Sequence, residues 1–438
     1  MIKRLFIISV FTGVAYLLNI LVLKHLIGTV PVASIKAIGE LDAFFNLIIN
    51  VLASGLLMTA VRDIAIATDW RPPFLQAQKA RITFAIVLSA AAFLGFVNPN
   101  YFFLVTAPVF ALNGDYALYG RGQPVAASFL AFCRVLVPTV LIFLCSLYWQ
   151  QGIVIVYSVS TVLIYLVTGF IISMMLKTPY WVSPAVKSTR LYINSISLGI
   201  VSLGYYFLGL GLIVLVTFFY SGPVVALAYV VLKFYVIFKG VLRIINQAFI
   251  SEMTDDEVCN KVDYLATMAG LTFLVTTTVF TSTFITLFFG KNLAGYQAWP
   301  ILLGICGFLI SPLISFTTKA LLEKKDISYA KLSLFAMGVA ALLSIILSFE
   351  FNNINSILIS LIAGELVSIA GLLIMLKKMT VFKERIIFTL KNLSFAIIPV
   401  AIRWGYGDNY YTFWTGIGIY GLCIAGFNHK RLRLPVAT

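Results

Sequence analysis

Ionisable residues lie deep inside long apolar stretches of this chain, where charge is costly. An ionisable side chain at the centre of a membrane helix costs about 2.5–3.5 kcal/mol on insertion scales, so its presence predicts a function. Two of these residues, Asp115 and Arg134, fall on consecutive apolar stretches and are placed to pair; such a pair either serves binding or only fixes packing. The full set is Asp115, Arg134, Lys233 and Glu365.

Three cations share one side of a single predicted helix. At 100° per residue, Lys233, Lys239 and Arg243 fall within a sector of about 120°, which predicts a cationic stripe. A simpler reading of Lys239 and Arg243 is that they extend along the helix to lipid phosphates. Glu365 has two open readings, an ion-coupling carboxylate or the partner of a lysine. Because cations outnumber acids in this set, a cavity that they line suits an anionic substrate.

The elements that must position these residues are membrane helices. The chain is 61% hydrophobic and 11% charged, with a mean hydropathy of +1.02, whereas soluble domains are about half apolar and a quarter charged. Runs of about 20 apolar residues cross a bilayer as helices, and the alternating pattern of a membrane barrel is absent. We predict an all-α integral membrane protein with 12–14 spans. The fourteen favoured spans are 5–23, 41–61, 82–98, 101–120, 124–148, 153–176, 193–217, 223–250, 264–289, 298–320, 328–349, 354–376, 387–403 and 411–427.

The charges between the spans predict an orientation. With both termini in the cytoplasm, 25 of the 31 lysines and arginines fall in cytoplasmic segments and four in segments on the other side. Such a bias is what the positive-inside rule expects. It favours fourteen spans over twelve and predicts a multi-pass protein of the bacterial inner membrane.

The topology indicates a link between two helical lobes after the sixth span, and the lobe bounds used here are those that a family resemblance described below implies. The N-terminal lobe covers 1–176, and the segment 177–192, which contains Pro179 and Pro184, is the predicted cytoplasmic linker. The C-terminal lobe covers 193–376, and the helix pair covers 377–438.

Several chemistries lack their motifs in this sequence. It contains no phosphate-binding G-x-x-x-x-G-K-[ST] loop and no H-E-x-x-H motif, its two histidines stand apart, and its five cysteines lack metal-ligand spacing. We therefore predict no cofactor and no metal. The net charge of +15 is explained by cytoplasmic loops, and no nucleic-acid partner is predicted.

Two motifs resemble a known family. The second span ends Gly55-Leu-Leu-Met-Thr-Ala-Val-Arg62-Asp-Ile-Ala65, and the fourth ends Asn113-Gly-Asp115-Tyr116-Ala-Leu-Tyr119-Gly120-Arg121. Both resemble the O-antigen (Wzx-type) flippases of the polysaccharide-transporter branch of the multidrug/oligosaccharidyl-lipid/polysaccharide exporter superfamily. Tyr116 stands where that branch has tryptophan, Tyr119 where it has glutamine, and Gly122 where it has glutamate. The stretch Asp42-Ala-Phe-Phe also looks like peptidoglycan-lipid flippases.

The resemblance implies a role in lipopolysaccharide or other polysaccharide biosynthesis. It implies two lobes around a central cavity and alternating access, which would move an undecaprenyl-diphosphate-linked oligosaccharide from the cytoplasmic to the periplasmic leaflet. Expected partners are that glycan, membrane lipids, a polysaccharide polymerase and a chain-length regulator. We predict a transporter and not an enzyme; a polymerase or ligase acting on the same lipid, and a multidrug antiporter, are the alternatives.

Roles for individual residues follow from this hypothesis. Glu365 is the coupling candidate. The predicted substrate-binding cations of the cavity are Arg62, Arg134, Lys233, Lys239 and Arg243. The predicted supporting and sugar-contacting residues are Asp115, Tyr116, Tyr119 and Arg121.

Overall fold

A computed structural model describes residues 2–96, 99–248, 255–290 and 298–432. Throughout these residues the regular structure is helical and no strand occurs, so the predicted all-α fold is confirmed. By internal contacts the chain divides into two compact units, Met1–Phe218 and Phe219–Thr438. Each unit is described on its own.

In the described residues of the first unit there are eleven α-helices. Pro72 and Pro73 open α4 and Pro124 opens α7, in the first turn, where a missing N–H costs nothing. The helices are α1 (Ile2–Thr29), α2 (Val32–Ala53), α3 (Leu56–Ile66), α4 (Arg71–Ala90), α5 (Ala107–Ala111), α6 (Asp115–Gly120), α7 (Pro124–Tyr148), α8 (Ile153–Leu176), α9 (Arg190–Asn194), α10 (Ile196–Tyr206) and α11 (Leu212–Val216).

The part of the second unit that the structure describes has ten α-helices. Asp255 caps α13 by accepting the N–H of Glu257 at 2.8 Å, and Asn353 caps α18 through the N–H of Ser356. The helices are α12 (Gly222–Ala248), α13 (Asp256–Val279), α14 (Thr281–Phe288), α15 (Trp299–Leu309), α16 (Ile314–Leu322), α17 (Asp326–Glu350), α18 (Ile354–Leu376), α19 (Met379–Leu393), α20 (Ile397–Tyr406) and α21 (Tyr410–Leu432).

Most predicted spans correspond to helices long and apolar enough to cross a membrane. Within the described residues ten helices meet that condition, and α15 with α16 forms an eleventh segment, bent by 43° at its break. The predicted spans 41–61, 101–120 and 411–427 are also helical but lie outside this set. The total of fourteen spans therefore stays a prediction.

Several predicted spans start later than the helices do, and two of these differences change what was predicted for a nearby cation. The third span was predicted from residue 82 and the thirteenth from residue 387, whereas α4 begins at Arg71 and α19 at Met379. Arg81 and Arg385, predicted to lie in cytoplasmic loops, are therefore inside helices and only 4% and 1% exposed. A charged residue lowers the hydropathy of its window, so the predicted span stops short of it. The helix itself continues, because the charge is buried against polar partners.

The division into units follows Phe218 and places α9, α10 and α11 in the first unit. The predicted linker at 177–192 ends inside α9, which begins at Arg190. Both α8 and α18 end at a lysine in the left-handed conformation, Lys177 with φ of 52° and Lys377 with φ of 54°. The lobe bounds proposed from the sequence stay a prediction.

Candidate functional site

The first unit contains the buried ion pair suggested by the sequence. Arg134 on α7 donates through Nη2 to Oδ2 of Asp115, the first residue of α6, at 2.7 Å. The Arg134 side chain is 8% exposed and that of Asp115 is 21% exposed. The guanidinium of Arg134 also lies 5.2 Å from the centre of the Tyr165 ring. The pair thus has one sealed member and one member that reaches the unit's surface.

An interruption between α5 and α6 puts Asp115 in this position. The chain leaves the helix over residues 112–114 and resumes it at Asp115. Arg81 on α4 donates to the carbonyls of Asn113 and Phe110, the latter at 3.2 Å. Gln78, one turn earlier, donates to the carbonyl of Ala111 at 2.8 Å. Neither α4 residue was a candidate from the sequence.

Tyr116, the second residue of α6, is buried next to the interruption and does not reach the unit's surface. It is 2% exposed, and its hydroxyl donates to Oε1 of Gln78 at 3.1 Å. The guanidinium of Arg81 lies 5.4 Å from its ring centre. Because it is buried, Tyr116 can only support the segment from inside the unit. Tyr119, by contrast, is 42% exposed and accessible from outside the unit.

A tyrosine outside the spans lies near the same arginine. Tyr192 on α9 donates its hydroxyl to the carbonyl of Leu52 at 2.7 Å. Burial raises the pKa of Tyr192 above its usual value, and the positive charge of Arg81 opposes that rise only in part. Tyr192 therefore stays a neutral donor.

The remaining predicted cations of the first unit are exposed. Arg62 on α3 is 70% exposed and contacts the adjacent Asp63 at 3.0 Å. Arg121, which follows α6, is exposed and lies 4.5 Å from the centre of the Trp70 ring. These two residues are not joined to the Asp115–Arg134 pair by any bond that the structure gives.

The second unit contains a more deeply buried ion pair. Lys239 on α12 lies 3.0 Å from Oε1 of Glu365 on α18, and their side chains are 4% and 7% exposed. The hydroxyl of Tyr235, one turn before Lys239, donates to the same oxygen at 2.7 Å. Of the two interpretations of Glu365, the structure shows the pairing with a lysine. Lys239 does not extend to lipid phosphates.

The predicted cationic stripe on α12 therefore divides by environment. Lys233 is half-buried with its ammonium 5.9 Å from the Tyr229 ring centre, Lys239 is buried, and Arg243 is exposed. Three cations on one helix face have three different degrees of access.

A further polar network in the second unit was missed by sequence reasoning. Asp263 on α13 is fully buried and accepts both the N–H and the hydroxyl of Ser315, each at 2.9 Å. Arg385 on α19 reaches the same carboxylate at 3.4 Å and Asn260 at 2.5 Å. Its guanidinium lies 4.1 Å from the Tyr264 ring centre. Asp263 was missed because it precedes the predicted start of its span by one residue.

Within the described part of the chain, no group of three or more histidine, cysteine, aspartate or glutamate side chains is placed to hold a metal ion. The described residues do contain ion pairs, exposed cations and aromatic rings next to cations.

Comparison with known proteins establishes the fold. No family model matches the chain, and no curated protein matches it. A solved structure of the lipid II flippase MurJ in an inward closed conformation is similar over 97% of this chain and 99% of that one, with a TM-score of 0.69 and 13% identity. A crystal structure of MATE in complex with MaD3S covers 87% of this chain and 96% of that one, at a TM-score of 0.46 and 15% identity. The chain has the all-helical fold of the first of these membrane proteins.

Proposed function

We propose that this protein is a flippase that moves an undecaprenyl-diphosphate-linked oligosaccharide from the cytoplasmic to the periplasmic leaflet by alternating access. The substrate would be an O-antigen repeat unit or a similar glycan. The observation that carries the proposal is the full-length likeness to a structure described as a lipid II flippase. It is supported by the two sequence motifs at 55–65 and 113–121.

The charges of the helices fit an anionic lipid-linked solute. A diphosphate and its sugars lose their hydration on entering hydrocarbon, and groups that replace this hydration lower the barrier. Arg134 and Lys233 are cations within apolar helices, and the chain as a whole carries +15. A membrane potential of 100 mV contributes roughly 2.3 kcal/mol per charge, which favours export of an anion.

The role proposed for each candidate residue of the first unit follows from how far its side chain is exposed. Arg134 would contact the diphosphate, and Asp115, whose side chain is the more exposed of the two, would contact a sugar hydroxyl, because a carboxylate repels phosphate. The exposed residues Arg62, Tyr119 and Arg121 would contact phosphate or sugar on the cytoplasmic side. Tyr116 would support this segment from within.

The second unit supplies the remaining roles. Lys233 and Arg243 would add positive charge along α12. Glu365 is proposed as the coupling carboxylate, held by Lys239 and Tyr235. A polysaccharide polymerase and a chain-length regulator would act on the exported unit, and the bacterial inner membrane is the proposed location.

The experiment uses a strain in which the gene for this chain is deleted. We expect lipid-linked repeat units to accumulate on the cytoplasmic side and the surface polysaccharide to be lost, with recovery on expression of the wild-type chain. Arg134→Ala should lose most of this recovery. Lys187→Ala, at an exposed loop cation, is the matched control and should recover fully.

Other outcomes would overturn the proposal. Repeat units that accumulate on the periplasmic side would indicate a polymerase or ligase. Unchanged polysaccharide together with increased sensitivity to cationic drugs would indicate a multidrug antiporter.

A further inference from the structure

Two side chains of α4 hydrogen-bond to the backbone at the interruption over residues 112–114. The last carbonyls of a helix have no intrahelical N–H partner and must find one elsewhere when they are buried. Arg81 supplies donors to Phe110 and Asn113, and Gln78 supplies one to Ala111. Three carbonyls around the end of α5, those of residues 110, 111 and 113, thus accept hydrogen bonds from α4.

The chemistry of these two donors suits the task. The guanidinium of Arg81 is planar and offers several N–H groups in fixed directions, so one side chain reaches two carbonyls; a lysine ammonium is a single point on a flexible stem. Arg81 is 4% exposed and Gln78 is 3% exposed. At such burial a lost partner is not replaced by bulk water.

The interruption determines which way the next two residues face. Asp115 begins α6 and contacts Arg134 on α7. Its neighbour Tyr116 faces α4 instead, where it bonds to Gln78 and lies over Arg81. Asp115 and Tyr116 belong to one short helix. The contacts of Tyr116, and the hydrogen bonds from α4 to the carbonyls before Asp115, therefore determine where the Asp115 side chain points.

We propose that Arg81 is a positioning residue, which acts with Gln78 to hold the Asp115 carboxylate against Arg134 at the substrate site. This inference rests on the proposed function in one respect, that the Asp115–Arg134 pair contacts the transported lipid. The positioning itself is a property of the first unit and is tested without substrate.

The transport arm of the test is a double-mutant cycle. Purified full-length protein is reconstituted in vesicles with an undecaprenyl-diphosphate-linked trisaccharide that carries a fluorophore, and transfer between leaflets is followed by quenching with dithionite. Arg81→Met, which keeps the volume and removes the donors, should slow transfer about tenfold in the wild-type background. In an Asp115→Asn background the same change should slow it less than about twofold, because the pair is already broken. Arg81→Lys should fall between wild type and Arg81→Met.

The stability arm repeats the cycle with the thermal unfolding midpoint of the same proteins in detergent. We expect Arg81→Met to lower the midpoint less in the Asp115→Asn background than in the wild type. Equal losses in both backgrounds, in transfer and in midpoint, would overturn the positioning role and leave Arg81 as packing alone. Coupled midpoints in a protein that moves no probe would instead contradict the proposed function and leave the positioning role standing.

Discussion

An apolar helical segment is interrupted in each unit, and the backbone groups beside the two interruptions bond to side chains of opposite charge. In the first unit, the arginine and glutamine of α4 donate to carbonyls at the end of α5. In the second unit, Asp263 of α13 accepts the N–H of Ser315 at the start of α16. The charged side chain that bonds to the backbone beside the break is thus a cation in the first unit and an anion in the second.

The difference follows from which helix end is capped. The C-terminal end of a helix carries partial negative charge and attracts a cation, while the N-terminal end carries partial positive charge and attracts an anion. Asp263 is in turn matched by Arg385 from α19. In the first unit Asp115 is matched by Arg134, which leaves Arg81 as one additional positive charge among these three groups. An anion should therefore be attracted more to the interruption of the first unit.

The largest expected effect is the loss of Arg385. Asp263 is fully buried, so Arg385→Met leaves a lone charge and should lower the free energy of unfolding in detergent by about 3–5 kcal/mol. The double variant Asp263→Asn with Arg385→Met removes both charges and should recover most of this loss. A cost below about 1 kcal/mol for the single change would contradict a sealed pair.

The corresponding change in the first unit should cost less. Arg134→Met leaves Asp115, whose side chain is 21% exposed and regains partial hydration. We expect a loss of about 1–3 kcal/mol in the same unfolding measurement. Equal losses of unfolding free energy for Arg134→Met and Arg385→Met would contradict the distinction between the partly exposed pair Asp115–Arg134 and the fully buried pair Asp263–Arg385.

The close packing of α13 against the second interruption should be sensitive to one added methyl group. A Cβ at Gly270 on α13 would lie 2.1 Å from Oγ of Ser311, inside the interruption. Gly270→Ala should cost about 1–2 kcal/mol of unfolding free energy, and Ser311→Gly in the same chain should relieve it. Gly114→Ala is the control in the first unit, because its nearest contact is a Phe74 ring atom at 3.1 Å; a larger loss there would reverse the comparison.

The smallest effect is expected at an exposed ion pair of the second unit, between Lys378 and Asp256. Lys378 lies 3.2 Å from Asp256, whose side chain is 61% exposed. Lys378→Met should change stability by less than about 1 kcal/mol, and about 1 M salt should abolish that difference by screening. A salt-independent loss would show that this pair is buried in the membrane-embedded protein.

Much of the helix order could be predicted from the sequence. Apolar runs of about 20 residues mark membrane helices, and the depth of Asp115 and Arg134 indicated their pairing. Glu365 was predicted to pair with a lysine as one of two readings, and Lys239 is that lysine.

The positions of Arg81, Asp263 and Arg385 could not be predicted in the same way. Positive-inside counting treats every cation near a span end as a loop residue, and hydropathy does not show which buried partners compensate a charge. Pro72 and Pro73 were the available signal that α4 starts before residue 82, because proline is favoured in the first turn. For α19 the buried residues Arg385, Phe388 and Asn392 recur at helical spacing, but their polar members hide that pattern from a hydropathy scale.

The central claim is that this chain moves an anionic lipid-linked glycan between leaflets. The most direct measurement is the fraction of a fluorescent undecaprenyl-diphosphate-linked glycan that dithionite can reach in sealed vesicles containing the wild-type protein. We predict that nearly all of this probe becomes accessible over time, while the same glycan on a polyprenol without phosphate stays near one half. A diphosphate-linked probe that also stays near one half, as in vesicles without protein, would contradict the claim.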